Sequence, residues 1–412
     1  MSDLLIQNIG QIASPKPGNT RGKELGDLSI IEDGAVYIRD GVIKSVGTLS
    51  EVLDEVEGQP EVVDAGGRAA IPGFVDSHSH LVFGGNRAHE FAMRSAGATY
   101  EEIAAQGGGI VSTVEATRAM SKAELEARAF LRLELALEQG ITTMEIKSGY
   151  GLDLDTERKM LEVINELNDH QPIELVPTFL GAHAVPTGST KEEYLEEVLN
   201  MIPELSDLAE YCDVFCEKGY FTKEESRRVL EKGLKHGLKP KIHTNQFNDI
   251  GGVEMALDLE AVSVDHLEVL SDEDVRSISD SDTIATVLPG VSYFLNISYS
   301  PARKLIDEGA IVALASDFNP GSSMTMCMQL LMNMACTKMG MSVEEALSCS
   351  TQNGALALER KNIGCISEGY QADLLLLETD DFRNVAYFFG QNHVSVVIKK
   401  GKIAYKCTHL ER

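Results

Sequence analysis

Pro72-Gly73-Phe74-Val75-Asp76-Ser77-His78-Ser79-His80 is where an apolar run stops at two histidines separated by one residue, and the reading of this stretch decides the fold. If 70–75 is a buried strand, His78 and His80 lie just past its end, and in extended backbone residues two apart point the same way. Two imidazoles can then meet one ion, and neutral imidazole is a good ligand for zinc or iron. A catalytic site needs about three protein ligands and a position left for water, so the pair is half a site at most. A loop carrying two solvated histidines is the competing reading. What favours a site is that further His and Asp residues fall at later strand ends.

Working outward, short apolar runs alternate with amphipathic segments through most of the chain, the signature of a parallel sheet with crossover helices. The expected strands are 70–75, 141–147, 173–179, 211–216, 239–243, 261–264, 283–287 and 311–315, with helices at 122–139, 155–168, 191–201, 223–236 and 272–278. Eight units predict a (β/α)8 barrel, an α/β fold whose chemistry sits at the C-terminal ends of the strands. Those ends present His78 and His80, then Lys147 to Tyr150, His183, Glu217 and Lys218, His243 and Gln246, Asp265 and His266, Pro289, and Asp317 with Asn319. Five of the ten histidines fall there, where chance would scatter them. His170, His236, His393 and His409 sit in polar helical or terminal contexts that suit solvated surface, and His89 lies beside Arg87.

The first 66 residues carry short alternating runs punctuated by Asp-Gly pairs that favour hairpins, and the last stretch resembles them, with Lys400-Gly401 as a turn. The expected organisation is a small β-sandwich built from 1–66 and 366–412, interrupted by a metal-binding barrel over 67–365.

A net charge of −28 without a basic run argues against nucleic acid or an anionic membrane as partner; it suggests solubility, not a function, and the small-molecule substrate expected below rests on resemblance. An anionic substrate would then need a local cation, and Arg87 is the first candidate. Seven cysteines without paired spacing suggest neither a disulfide framework nor a zinc knuckle, which fits a reducing cytoplasm. No signal segment and no membrane-length apolar window is visible, so a soluble, unprocessed protein is expected.

His-x-His after strand one, His at strands five and six and Asp at strand eight resemble the amidohydrolase superfamily. Outside the barrel, Asp33-Gly34 to Gly47 and the stretch from Gly364 through Ala372-Asp373-Leu374 look like that superfamily's split sandwich, so the resemblance covers nearly the whole chain. Within it, Glu145-Ile146-Lys147-Ser148-Gly149-Tyr150-Gly151-Leu152, Phe179-Leu180-Gly181-Ala182-His183 and Asp317-Phe318-Asn319-Pro320-Gly321-Ser322 resemble the imidazolonepropionase family of histidine degradation. That resemblance implies one zinc or iron per chain, held by His78, His80, His243 and Asp317. It implies proton transfer by Asp317, oxyanion stabilisation by His266, and substrate contacts from Arg87, Tyr150, His183, Gln246, Asn319, Gly321 and Ser322, with Tyr100 as a further candidate. A guanidinium suits the substrate propionate because its donors match two carboxylate oxygens. A homodimer is the superfamily habit. A two-metal variant would need a carboxylated lysine, for which only Lys147 and Lys218 are candidates, and the family pattern gives neither that role.

Gln246 stands where many related deaminases carry glutamate. An amide orients substrate or water but cannot shuttle protons, which weakens the alternative of an aminohydrolase acting on another nitrogen heterocycle. A metal-free, non-catalytic barrel is the third reading, and intact His78, His80, His243 and Asp317 argue against it. Gly107-Gly108-Gly109 lacks the Lys-Ser/Thr of a phosphate loop and suits a loop near the site. Met324, Met326, Cys327, Met328 and Met332 have the spacing of a buried helix.

Overall fold

The computed structural model describes residues 3–98, 102 and 108–407, and Tyr100, Gly107 and His409 lie outside them. Two eight-stranded sheets organise the chain. The first is built from both ends: β1 (Leu4–Pro15), β2 (Leu28–Arg39), β3 (Val42–Thr48), β4 (Glu61–Asp64) and β5 (Ala69–Pro72) join β14 (Leu374–Leu377), β15 (Val394–Lys399) and β16 (Lys402–Lys406). Its order is β16-β15-β14-β5-β1-β2-β3, with β4 added alongside β1. One face encloses a core of Ile6, Ile9, Ile12, Val36, Ile38, Leu374, Leu376 and Ile398. From alternate positions Ile71, Leu375, Leu377 and Val397 pack into the barrel's core, as period-two strands require.

The second sheet runs β6 (Phe74–Asp76), β7 (Ile141–Lys147), β8 (Glu174–Ala182), β9 (Tyr211–Cys216), β10 (Lys239–Thr244), β11 (Ser263–His266), β12 (Ile284–Val287) and β13 (Val312–Leu314), every neighbouring pair parallel. This is the expected (β/α)8 barrel. The ring closes beyond the strands, where Asp317 N–H donates to His78 O and His80 N–H to Phe318 O, each at 2.9 Å. Closure therefore occurs in the two loops that carry the candidate ligands.

Five of the helices in the barrel region start where the sequence writes a reciprocal cap. Ser121 with Glu124, Thr190 with Glu193, Thr222 with Glu225, Ser271 with Asp274 and Ser342 with Glu345 each satisfy two otherwise orphaned amides.

The structure departs from several sequence expectations. The run 70–75 is two strands, not one, so the terminal sheet extends past residue 66 to Pro72. The break falls at Gly73, whose amide bonds to Asp373 O, and a Cβ there would run into the Thr142 side chain. Asp40-Gly41 and Lys400-Gly401 do turn hairpins, with φ of 52°, 78°, 49° and 71°. Asp33-Gly34 does not: it lies inside β2, opposite an irregularity in β1. The methionine helix begins only at Met328, leaving Met324 half exposed in a loop. His393 is buried, with Nε2 3.0 Å from Phe388 O, rather than solvated. Gly109 ends its glycine run directly against helix Ile110–Ala119. Among the described residues no helix is long and apolar enough to cross a membrane.

Candidate metal centre and active site

His78 and His80 leave β6 and His243 comes from β10, and one ring nitrogen from each lies within 4.8 Å of the others. Asp317, just past β13, places Oδ1 3.3 Å from His78 Nε2 and 3.2 Å from His80 Nε2. Its other oxygen is committed: Asn319 Nδ2 donates to Oδ2 at 2.9 Å and Ser322 Oγ at 3.2 Å. Asn319 Oδ1 in turn accepts from the amides of Gly321 and Ser322. Asn319 and Ser322 thus line the cavity while leaving the other carboxylate oxygen to face the His78 and His80 imidazoles. Burial works against the Asp317 carboxylate, yet His78 and His80 outweigh it and hold the group well below the usual carboxylate range.

Backbone strain collects at the same place. Asp317, His266, Leu267 and Asn245 have φ of 48°, 85°, 66° and 56°, a left-handed region that non-glycine residues enter at a cost of about 1–3 kcal/mol each. Tertiary bonds hold them there: Ser300 Oγ donates to His266 O, and Val269 N–H to Asn245 O.

Beneath the imidazoles lies a fully buried ionic network. His78 Nδ1 is 2.7 Å from Asp265 Oδ2, and His243 Nδ1 is 3.0 Å from Asp213 Oδ2. Lys147 Nζ reaches Asp213 at 2.8 Å, Glu145 at 2.9 Å and Asp265 at 3.7 Å, while Lys241 holds the same Glu145 at 2.9 Å. A carboxylate on the far nitrogen fixes the tautomer and turns Nε2 toward the ion, the usual support of a metal-ligating histidine. Burial works against the Lys147 ammonium, but the three carboxylates around it outweigh that and push its pKa above the ordinary lysine range, which favours the ammonium over a bridging carbamate. Lys218, the other bridge candidate, is exposed. His78 Nε2 is buried without a hydrogen-bond partner, and three imidazole nitrogens beside one carboxylate oxygen are a donor set that zinc or iron accepts.

The cavity above has a volume of about 490 Å³. All the other candidates among the described residues line it: Arg87, Tyr150, His183, Gln246, His266, Asn319, Gly321 and Ser322. Phe215, Leu295, Ile297 and Ile110 supply apolar wall. Arg87 Nε is held by buried Glu90 at 2.8 Å, which Ser112 also binds. A Cβ on Gly321 would overlap Arg87 Nη1, so glycine is what lets the guanidinium in. His183 stacks on His80 with centroids 5.2 Å apart and its Nδ1 is 2.9 Å from Gly149 O. Burial, reinforced by His80, pushes its pKa down to about 3, so the ring is neutral, donates from Nδ1 and offers Nε2 as an acceptor. Glu217, at the end of β9, instead accepts from the amides of Phe247 and Asn248 and fixes the loop carrying Gln246. His89 is exposed, outside the cavity lining.

Sequence reasoning placed Asp265 at a strand end without its function, and missed Asp213, Glu145, Lys241, Glu90 and Glu157. One signal was available. Glu145/Lys147 and Lys241/His243 are pairs of ionisable residues two apart within expected strands, a parity that aims them all to one face.

The sequence matches the amidohydrolase family over residues 69–404. It is 43% identical over 422 residues to an imidazolonepropionase of Geobacillus sp. (strain WCH70), covering 100% of both chains. It is 45% identical over 416 residues to one of Bacillus cereus (strain AH187), covering 98% of this chain and 97% of the other. Among solved structures, a triazine hydrolase variant superposes with a TM-score of 0.78 at 16% identity, covering 98% of this chain and 95% of that one. The guanine deaminase of E. coli gives 0.72 at 15% identity, covering 99% and 100%. At such identities these two speak for the fold alone.

Proposed function

The chain belongs to the amidohydrolase family and, within it, to the imidazolonepropionases, and from that premise we propose that it opens the ring of 4-imidazolone-5-propanoate with water to give N-formimidoyl-L-glutamate. The observation that carries this reading is the convergence of His78, His80 and His243, the last two of which line a cavity that also holds the Arg87 guanidinium. A metal end and a cationic end in one cavity suit a substrate with a hydrolysable ring amide and an anionic tail.

His78, His80, His243 and Asp317 hold one zinc or iron ion, which when bound acidifies water and polarises a carbonyl. Arg87 takes the propionate, and with Glu90 on Nε the two Nη groups can make two parallel bonds to it. His183 Nε2 accepts a ring N–H, and Tyr150 and Gln246 orient the ring. Asp317 accepts the proton of the attacking water, and His266 stabilises the oxyanion formed at the ring carbonyl. When the C–N bond breaks, Asp317 returns that proton to the departing nitrogen. Gln246 cannot join this relay, so the proton path runs through Asp317 while His266 holds the oxyanion. The reading carries with it a cytoplasmic homodimer.

The test is turnover of imidazolone propionate by the purified protein, with elemental analysis and ammonia measurement alongside. Ring opening, about one zinc or iron per chain and loss of both in His243→Ala are expected. Ammonia release from a related heterocycle, with imidazolone propionate untouched, would replace this reading by the aminohydrolase.

A further inference from the structure

Glu157 lies in the first turn of helix Leu154–His170 and is fully buried. Its carboxylate faces the loop that follows β7. Oε1 accepts from the amides of Gly151 at 2.7 Å and Leu152 at 2.9 Å, and Oε2 from Gly149 at 3.0 Å. The opposite side of the loop is held by a cation: Arg118 Nε donates to Gly151 O at 2.7 Å and Nη2 to Leu152 O at 2.9 Å, with Asp153 at 2.8 Å from Nε. One carboxylate therefore gathers the N–H groups of this loop and one guanidinium gathers its carbonyls.

The loop is bent into a shape it would not keep unaided. Gly149 and Leu152 have φ of 101° and 53°. Neither loop glycine has room for a side chain: a Cβ on Gly149 would come within 2.9 Å of His183 Nδ1, and one on Gly151 within 2.8 Å of Glu157 Oε1. The conformation presents two groups to the cavity. Tyr150 packs with its ring 5.3 Å from that of His183 and 5.9 Å from that of His80. The Gly149 carbonyl meets His183 Nδ1, and that contact decides which nitrogen of His183 is bare.

We propose that Glu157 is a positioning residue for substrate recognition: by clamping the 149–152 backbone against Arg118 it fixes the Gly149 carbonyl, and with it the His183 tautomer that leaves Nε2 as an acceptor toward the cavity. The recognition half of this inference rests on the function proposed above; the tautomer half does not. Glu157→Gln keeps the shape but puts an NH2 group against backbone N–H donors, so the loop relaxes and the carbonyl loses its fixed place.

The experiment reads both halves on the metal-loaded protein. Imidazole ¹⁵N spectra, with His183 assigned by its disappearance in His183→Gln, should show Nδ1 protonated in the wild type and a mixed tautomer in Glu157→Gln. Kinetics with imidazolone propionate should show a rise in KM of about tenfold or more, a smaller change in kcat, unchanged metal content, and an effect that largely vanishes in the His183→Gln background. If Glu157→Gln fails to fold, the half-exposed other arm of the clamp, Arg118→Gln, should move the His183 spectrum and KM in the same direction. A wild-type tautomer at His183 in a folded Glu157→Gln protein, or an undiminished effect on KM when His183 is absent, overturns the proposal. A wild type that ignores imidazolone propionate while the tautomer responds to Glu157 overturns the proposed substrate and leaves the clamp standing.

Discussion

Replacing Lys147 by Met should weaken the fold and the metal site together. Lys147 is completely buried and in contact with three carboxylates, two of which sit behind ligand histidines. At an effective dielectric near 20, an ammonium 2.8 Å from Asp213 and 3.7 Å from Asp265 gains on the order of 4–6 kcal/mol from each. Desolvation of the charges takes most of that back, and removing one partner of a buried pair typically costs about 3–5 kcal/mol. The metal site suffers separately. Without Lys147, Asp213 and Asp265 lose their shared counter-ion and orient His243 and His78 less firmly, which by the measured cost of disturbing such supports lowers metal affinity about 10–100-fold. Urea unfolding of the metal-free protein reads the first effect, and competition with a chelator of known affinity reads the second. Lys147→Met combined with Glu145→Gln removes one charge of each sign and should recover part of the unfolding loss. A single variant whose unfolding midpoint and metal affinity both match the wild type would refute the reasoning.

Gly321→Ala forces its Cβ onto Arg87 Nη1, so the guanidinium must retreat; loss of a charge-assisted contact worth about 1.5–3 kcal/mol should raise KM between tenfold and roughly 150-fold with metal content unchanged. A KM within twofold of the wild type would show that the propionate is held elsewhere. In the metal-free protein, burial and Lys147 oppose protonation of His78, but Asp265 and Asp317 outweigh them and carry its pKa up to about 9. Because that lies above the unfolded value near 6.5, the stabilisation is fully present below pH 6.5 and is lost as pH rises through about 9, a change on the order of 3 kcal/mol. Urea midpoints of the stripped protein at pH 6.5 and 9.5 check the sign, and uptake of zinc at neutral pH should release a proton to a weakly buffered solution.

The barrel could be read from the sequence because its signals are local. Strand ranges such as 141–147 and 211–216 coincide with β7 and β9, and the helix starts carry their own caps. The ligands could be read because they sit where strands end. What escaped was whatever depends on partners that no local periodicity marks. Glu157 binds amides five to eight residues back, and no periodicity announces a side chain that reads backbone. Asp213 and Asp265 lie inside apolar strands, and their purpose appears only once the barrel brings His243 and His78 beside them. The break at Gly73 was hidden because β5 and β6 are consecutive apolar runs, and only packing against Thr142 and Asp373 assigns them to different sheets.

The same packing gives the site a charge balance that links its two layers. Among the groups in direct contact with the three ligand histidines or with the buried lysines, Asp317, Asp265, Asp213 and Glu145 are anionic and Lys147 and Lys241 cationic. With neutral imidazoles the set lies two positive charges short, and one divalent ion supplies both. A buried set that is neutral only when loaded has two routes to compensation: an ion, or protons on its histidines. His78 already shows the second route in the direction of its pKa. Lys147 and the ion therefore serve the same carboxylates from opposite sides of the histidines.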